Sequence, residues 1–184
     1  MAEPGQEEKR GVLATIPPRR RHPMLAEPAA PACSPATDGI DHINVYSGGR
    51  TELGRLLSNF AHTPFTVPVH GTFASVEAYW YWLQCGDTAA RERLRLLHGF
   101  AAKKAGRELR VPDYARVNDL EFRRCIARAI REKIWQTPKL AGMLAASDLP
   151  FTHYYVYGEK VVRPANNEWI MDAIAHYRVK LRGG

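Results

Sequence analysis

The chain has 184 residues, of which 45% are hydrophobic, and this length suits one ordinary globular domain. Its 26 basic and 19 acidic residues give a formal net charge of +7, which favours anionic partners. Three widely spaced cysteines argue against a disulfide framework and a CxxC zinc site, and no apolar run is long enough to span a membrane. We therefore expect a cytoplasmic protein without a metal, a cofactor or a membrane partner.

Residues 1–38 differ in composition from the rest of the chain. Seven of the 13 prolines lie there, among Ala, Glu and Arg residues that show no apolar periodicity. A run of three arginines at 19–21 is interpreted as solvated charge. The composition predicts a disordered tail over 1–38 and a folded domain over 39–184.

Short strands are predicted in the first part of the folded domain. A strand is expected over 42–47, and two more within 64–75 around the turn at His70 and Gly71. Ser75 is a good N-cap for a helix over 76–85, and the helix that follows is expected to end at Gly99.

Helices dominate the second half. The clearest one has Asn118 as its N-cap and carries apolar residues at a spacing of four, namely Phe122, Ile126, Ile130 and Ile134. Another helix begins at Thr137, residues 151–158 are the best strand candidate, and a last helix begins near Asn167. Small sheets and many helices without βαβ alternation predict a mainly helical, single-domain α+β protein.

The positive charge is concentrated in one region. Between Arg91 and Lys133 the chain has thirteen basic and six acidic residues. A clustered positive field attracts phosphate-bearing ligands, which makes nucleotides and nucleic acid the candidate partners. The alternative interpretation is a helical surface whose charges serve solubility.

Glu77 stands at the predicted start of a helix, immediately before an aromatic run at 79–82. In one interpretation its carboxylate complements the helix dipole and contributes roughly 0.3–1 kcal/mol. In the other, the aromatic neighbours limit its hydration, raise its pKa and make it a general acid or base. The aromatic residues themselves either pack in the core or stack a nucleobase.

An ordered series of short motifs resembles the NADAR superfamily of YbiA-like proteins. The series begins with Tyr-Ser at 46–47, Ser-Asn-Phe with a following proline at 58–64, and Ser-x-Glu at 75–77. It continues with an Ala/Lys-rich segment ending in Gly-Arg at 101–107, a long helix followed by Pro-x-Leu at 122–144, and a closing segment at 166–178. The resemblance covers about residues 42–180, nearly all of the predicted domain.

The resemblance implies a YbiA-like α+β fold whose members hydrolyse N-glycosidic bonds to ribose. Their substrates include phosphorylated intermediates of riboflavin synthesis and ADP-ribose attached to guanine. By correspondence, Glu77 protonates a leaving group or activates water. Where the family has an aspartate near the C-terminus this chain offers His153, which either replaces that aspartate in acid–base chemistry or is a hydrogen-bonded structural residue. The implied substrate-binding residues are Tyr46, Ser58, Asn59, Phe60, Trp80, Lys104, Arg107, Tyr155, Tyr157, Asn167 and Trp169. The implied partner is an anionic nucleotide or ADP-ribosyl small molecule, or ADP-ribosylated nucleic acid.

Two alternatives to the N-glycosidase stay open. The family usually has His and Lys where this chain has Ala78 and Gln84, and Gln cannot form the imine that a lysine forms with an opened ribose. A relative that binds ADP-ribose or a nucleotide without catalysis is therefore one alternative. A basic nucleic-acid-associated domain is the other, and it has less support because aromatic residues within one helix point around all its sides.

Overall fold

Seven α-helices and three two-stranded sheets make up the part of the chain that the structure, a computed structural model, describes: residues 33–111 and 119–183. The helices are α1 (Glu52–Leu57), α2 (Val76–Trp82), α3 (Thr88–Leu94), α4 (Gly99–Leu109), α5 (Leu120–Trp135), α6 (Pro138–Ala146) and α7 (Glu168–Leu181). The strands are β1 (Ile43–Asn44), β2 (Phe65–Val67), β3 (Gly71–Phe73), β4 (Phe151–Thr152), β5 (Tyr155–Tyr157) and β6 (Lys160–Val162). The predicted α+β class, mainly helical with small sheets, is confirmed.

The three sheets differ in how far apart their strands lie in the sequence. β2 pairs with β3 and β5 pairs with β6 as local antiparallel hairpins. β1 instead pairs in parallel with β4, so that Ile43 faces Phe151 and Asn44 faces Thr152. This long-range pair brings the loop after β1 next to the segment that leads into β5. Among the described residues, no helix has the length and apolar character needed to cross a membrane.

Helix α5 carries the centre of the core. Its apolar residues at a spacing of four are all buried, as the sequence predicts: Phe122, Ile126, Ile130 and Ile134. The predicted N-cap, Asn118, lies outside the described residues. In the structure Asp119 occupies the N-cap position of α5. Helices α6 and α7 begin after Thr137 and Asn167, as predicted, and pack against α5.

Helix α2 begins at its predicted cap. The Ser75 hydroxyl accepts a hydrogen bond from the backbone N–H of Ala78 at 3.1 Å and donates one to the Leu97 carbonyl at 3.0 Å. The helix ends at Trp82, earlier than the predicted residue 85, and Tyr79 and Trp82 pack in the core. These two residues of the aromatic run therefore anchor the helix.

Other predicted boundaries besides the end of α2 are wrong, and the strand expected over 42–47 is only Ile43–Asn44. Gly99 does not end a helix but begins α4, with a φ of +55° that favours glycine, and α3 has already ended at Leu94. The segment 151–158 forms two strands, β4 and β5. Between them, at His153 and Tyr154, hydrogen bonds that involve side chains take the place of regular strand pairing. The ring Nδ1 of His153 donates to the Val45 carbonyl at 2.7 Å, and the backbone N–H of Tyr154 donates to Asn44 Oδ1 at 3.1 Å.

The segment assigned to the tail is partly described. Residues 1–32 lie outside the described residues, so the prediction of disorder there stays a prediction. Asp38 is buried, and its carboxylate accepts hydrogen bonds from the backbone N–H groups of Asn44 at 2.9 Å and Arg50 at 2.7 Å. The ordered domain therefore includes residues that the sequence analysis assigned to the tail.

Helix α4 approaches α2 more closely than a side chain would allow. A Cβ atom built at Gly106 would lie 2.0 Å from Cγ and 2.3 Å from Cδ2 of Tyr81. Both distances are far shorter than any real contact, so glycine is required at this crossing. The crossing places Arg107, the next residue, at the cavity that Tyr81 also lines.

We expect Gly106→Ala to destabilise the protein by about 1–3 kcal/mol, because Tyr81 must move out of a packed position. The matched control is Gly142→Ala in α6, where nothing lies within 4 Å of the new Cβ. That change should stabilise the protein by about 0.5–1 kcal/mol through helix propensity. Urea unfolding measures both, and equal stabilisation by the two substitutions would contradict the close approach.

Candidate functional site

A cavity of about 380 Å³ lies between α2, α4, α7, the loop after α1 and the segment 153–157. This volume falls within the roughly 300–1,000 Å³ typical of small-molecule sites. The lining residues are Val45, Tyr46, Ser47, Ser58, Asn59, Phe60, Glu77, Trp80, Tyr81, Phe100, Lys103, Arg107, His153, Tyr155, Tyr157, Asn167, Ile170 and Met171. All the site residues predicted from the sequence line this cavity except Lys104 and Trp169.

The two exceptions are displaced by one helical position. Lys104 is exposed on α4, and the preceding residue, Lys103, lines the cavity in its place. Trp169 lies behind the wall, where its ring stacks on Trp80 at a centroid distance of 6.4 Å. Successive helical residues point about 100° apart, so a motif that identifies the segment does not identify the inward-facing residue.

The loop Ser58–Phe60 forms one wall and is held by three donors. Its three consecutive carbonyls each accept a hydrogen bond from a helix: Ser58 from Lys133 Nζ at 2.8 Å, Asn59 from the backbone N–H of Glu77 at 2.9 Å, and Phe60 from the backbone N–H of Gly99 at 3.1 Å. These donors belong to α5, α2 and α4. The loop is therefore tied to the core helix α5 and to α2 and α4, which carry Glu77, Lys103 and Arg107.

Glu77 lies in the first turn of α2, with its side chain at the cavity wall and only 9% of the residue exposed. Burial raises the pKa of its carboxyl from 4.5 to about 7, while the charges of Lys103 and Arg107 act in the opposite direction. A carboxyl with a pKa near neutrality is suited to general acid–base chemistry. The interpretation of Glu77 as a general acid or base thus has a physical basis beyond the helix dipole.

His153 also lines the cavity and is half-buried. Burial lowers the pKa of its imidazole, and the Val45 carbonyl that accepts from Nδ1 partly offsets that effect. The imidazole is therefore neutral near pH 7 with its proton on Nδ1, and Nε2 is the hydrogen-bond acceptor. A neutral imidazole of this tautomer serves as a base.

Sequence reasoning missed Lys133, which is only 1% exposed. It was counted with the surface charge of the basic region, but its ammonium lies beneath the Ser58–Phe60 loop, and burial lowers its pKa to about 7. The spacing of Lys133 from the apolar residues of α5 indicates its burial. Lys133 follows the buried Ile126 by seven residues and Ile130 by three, which places it on the same helical face.

Ala78 and Gln84, where the family usually has His and Lys, are not among the residues that line the cavity. Ala78 is fully buried, and the Gln84 side-chain amide donates to the Trp80 carbonyl at 3.0 Å. Among the described residues, the cationic side chains that line the cavity are Lys103 and Arg107. No group of three or more His, Cys, Asp or Glu residues suited to a metal ion occurs in the described ranges.

Comparison with known proteins establishes the fold. No family model matches the chain, and no curated protein matches it. The chain is similar to the NMR structure of the E. coli protein YbiA, with a TM-score of 0.57 and 21% identity over 79% of this chain and 93% of that one. It has a YbiA-like α+β fold. The fold implied by the motif series is thus confirmed.

We expect Glu77 to make stability depend on pH. Below pH 4.5 the carboxyl is protonated in both the folded and the unfolded state, so its burial does not lower the free energy of unfolding. As pH rises from 4.5 to 7 the unfolded state ionises first, so the contribution of Glu77 to the free energy of unfolding falls by about 3 kcal/mol and then levels off. Glu77→Gln removes this loss and should be more stable than the wild type at pH 8 but not at pH 4. Urea unfolding across this range measures the difference, and parallel curves would contradict burial of the acid.

Proposed function

We propose that this protein hydrolyses an N-glycosidic bond to ribose in an anionic nucleotide or ADP-ribosyl substrate. The observation that carries the proposal is the buried carboxyl of Glu77 at a cavity wall that also bears Lys103 and Arg107. Such a wall combines a proton donor that works at neutral pH with two cations that suit phosphate groups. The YbiA-like fold is consistent with this chemistry.

The two titratable groups divide the reaction between them. Glu77, in the protonated form that makes up about half of the population at pH 7, donates its proton to the leaving nitrogen while the bond from ribose C1′ to that nitrogen breaks. His153 Nε2, which has no hydrogen-bond partner among the described residues, accepts a proton from the water that attacks C1′. The products are the free base and a ribose hydroxyl, and solvent returns the proton from His153 to Glu77.

The remaining lining residues bind and orient the substrate. The Asn59 side chain and the hydroxyls of Tyr46 and Ser58 supply polar contacts for the ribose. Lys103 and Arg107, which line the same wall, attract the phosphates. Holding the sugar against two fixed groups reduces the entropy lost on reaching the transition state.

The test is mass spectrometry of reactions with NAD, ADP-ribose, DNA carrying ADP-ribosylated guanosine and early riboflavin intermediates. We expect the wild type to release a free base from one of them. Glu77→Gln should lose roughly 10²–10⁴ in kcat, because Gln keeps the shape of Glu but cannot exchange a proton. The matched control, Glu108→Gln on the exposed side of α4, should leave kcat unchanged.

Binding without turnover is the outcome that contradicts catalysis. If the wild type binds one of these compounds and releases no base, and Glu77→Gln binds it equally well, the protein is a reader of that ligand. The observation that favours this second candidate, a protein that binds the ligand without catalysis, is Gln84 in place of the family's lysine.

A further inference from the structure

A second cavity, the α5–α7 groove, lies between these two helices and has a volume of about 710 Å³. It shares no lining residue with the candidate functional site. Its lining carries one carboxylate, Glu132, and four permanently charged cations: Arg124, Arg128, Arg131 and Lys180. This excess of positive charge attracts a negatively charged partner, and the proposed function gives the groove no role.

The lining residues that α5 contributes form a narrow strip along that helix. Arg124, Arg128, Arg131 and Trp135 occupy positions i, i+4, i+7 and i+11, which fall within an arc of about 60° at 3.6 residues per turn. All four are exposed. With a rise of 1.5 Å per residue, Arg128 follows Arg124 by about 6 Å along the axis, and Trp135 follows it by about 16.5 Å.

Most of the cations in the groove have no acidic partner. Among the described residues, no carboxylate pairs with Arg124, Arg128 or Lys180. Arg131 pairs with Glu132, whose carboxylate also accepts a hydrogen bond from the side-chain amide of Gln136 at 3.1 Å. Three charges are therefore available for charge-assisted hydrogen bonds to a partner.

Trp135 adds an apolar anchor to the strip. The residue is 43% exposed, and its ring meets Tyr177 at right angles with a centroid distance of 5.7 Å. Tyr177 is itself held, because its hydroxyl donates to the Ala127 carbonyl at 2.9 Å. A contact at right angles covers at most one face of the indole, which leaves the other for a partner. Trp, Tyr and Arg are the residues enriched at the hot spots of protein interfaces.

The spacing of the strip matches a helix better than an irregular anion. A groove between two helices is a shape into which a third helix packs, and a helix lying along α5 has the same rise per residue. Carboxylates four residues apart on it repeat the separation of Arg124 and Arg128. An apolar residue seven positions further reaches Trp135. Nucleic acid shares the negative charge but not this helical register.

We infer that the α5–α7 groove docks an acidic amphipathic helix of a partner protein. Two carboxylates of that helix pair with Arg124 and Arg128, an apolar side chain packs against Trp135, and Lys180 borders the helix from α7. This inference goes beyond the proposed function and does not rest on it, because the two cavities have no lining residue in common.

The experiment titrates the full chain with an alanine-rich helical peptide of about 18 residues and follows the indole N–H signals by NMR. The peptide carries Glu at positions i and i+4 and Leu at i+11, and a second peptide has these three residues in reverse order for the antiparallel orientation. The control peptide has the same composition with both Glu residues moved to i+2 and i+6, on the opposite face. The Trp135 signal is identified by its absence in Trp135→Phe.

We expect the Trp135 signal to shift on titration, and one of the two matched peptides to bind about tenfold more tightly than the control peptide. Arg128→Glu should weaken that binding at least tenfold, because it replaces an attraction with a repulsion. The matched control is Arg93→Glu, which makes the same charge change at an exposed position of α3 outside the groove and should have a small effect.

Three results would each overturn the inference. The first is a Trp135 signal that does not move at a peptide concentration of about 1 mM. The second is equal binding of matched and control peptides, or equal effects of Arg128→Glu and Arg93→Glu. The third is an oligothymidylate of about 12 nucleotides that shifts the Trp135 signal at lower concentration than either matched peptide, which would assign the groove to nucleic acid.

These outcomes are separable from the proposed function. Arg128→Glu should leave any release of a free base unchanged, since Arg128 does not line the candidate functional site. Peptide binding without base release would leave the docking groove standing and reject hydrolysis, and base release without peptide binding would do the opposite. Unfolding curves of each variant confirm that the comparison is between folded proteins.

Discussion

Three consecutive carbonyl groups fix one wall of the cavity relative to α2, α4 and α5, because each accepts a hydrogen bond from a different one of these helices. The acceptors are Ser58, Asn59 and Phe60, and the donors are the Lys133 side chain and the backbone N–H groups of Glu77 and Gly99. A buried carbonyl without a donor costs about 1–3 kcal/mol, so the arrangement restricts how α2, α4 and α5 can shift. The chain supplies one of the donors with a lysine whose burial is itself unfavourable.

The same packing sets the electrostatics of the site. The N–H of Glu77 is tied to the loop, which places its carboxyl at a wall where water is largely excluded. Desolvation raises the carboxyl pKa more than the charges of Lys103 and Arg107 lower it, since the Arg107 side chain is exposed and its field is screened by water. At neutral pH the acid is therefore about half protonated, beside two cations that can hold phosphate.

Local patterns predicted the features that local physics determines. The apolar spacing of α5 and the Ser75 cap of α2 correspond to buried and hydrogen-bonded residues, because amphipathicity and capping act within one element. The division of 151–158 into two strands could not be predicted, since it depends on the side chain of Asn44 and the Val45 carbonyl, more than 100 residues away. The motif series identified the segment of α4, but helical phase, set by the glycine contact with Tyr81, decides that Lys103 and not Lys104 lines the cavity.

The central claim is that the Glu77 carboxyl is a desolvated acid at neutral pH, and carbon-13 NMR measures this directly. Protein labelled at the glutamate side-chain carboxyl carbon is titrated from pH 3 to pH 9, and the Glu77 signal is identified by its absence in Glu77→Gln. We expect that signal to shift with a midpoint near pH 7, well above the ordinary glutamate value of 4.5. A midpoint at 4.5 would show a hydrated carboxylate and would contradict the account of the site.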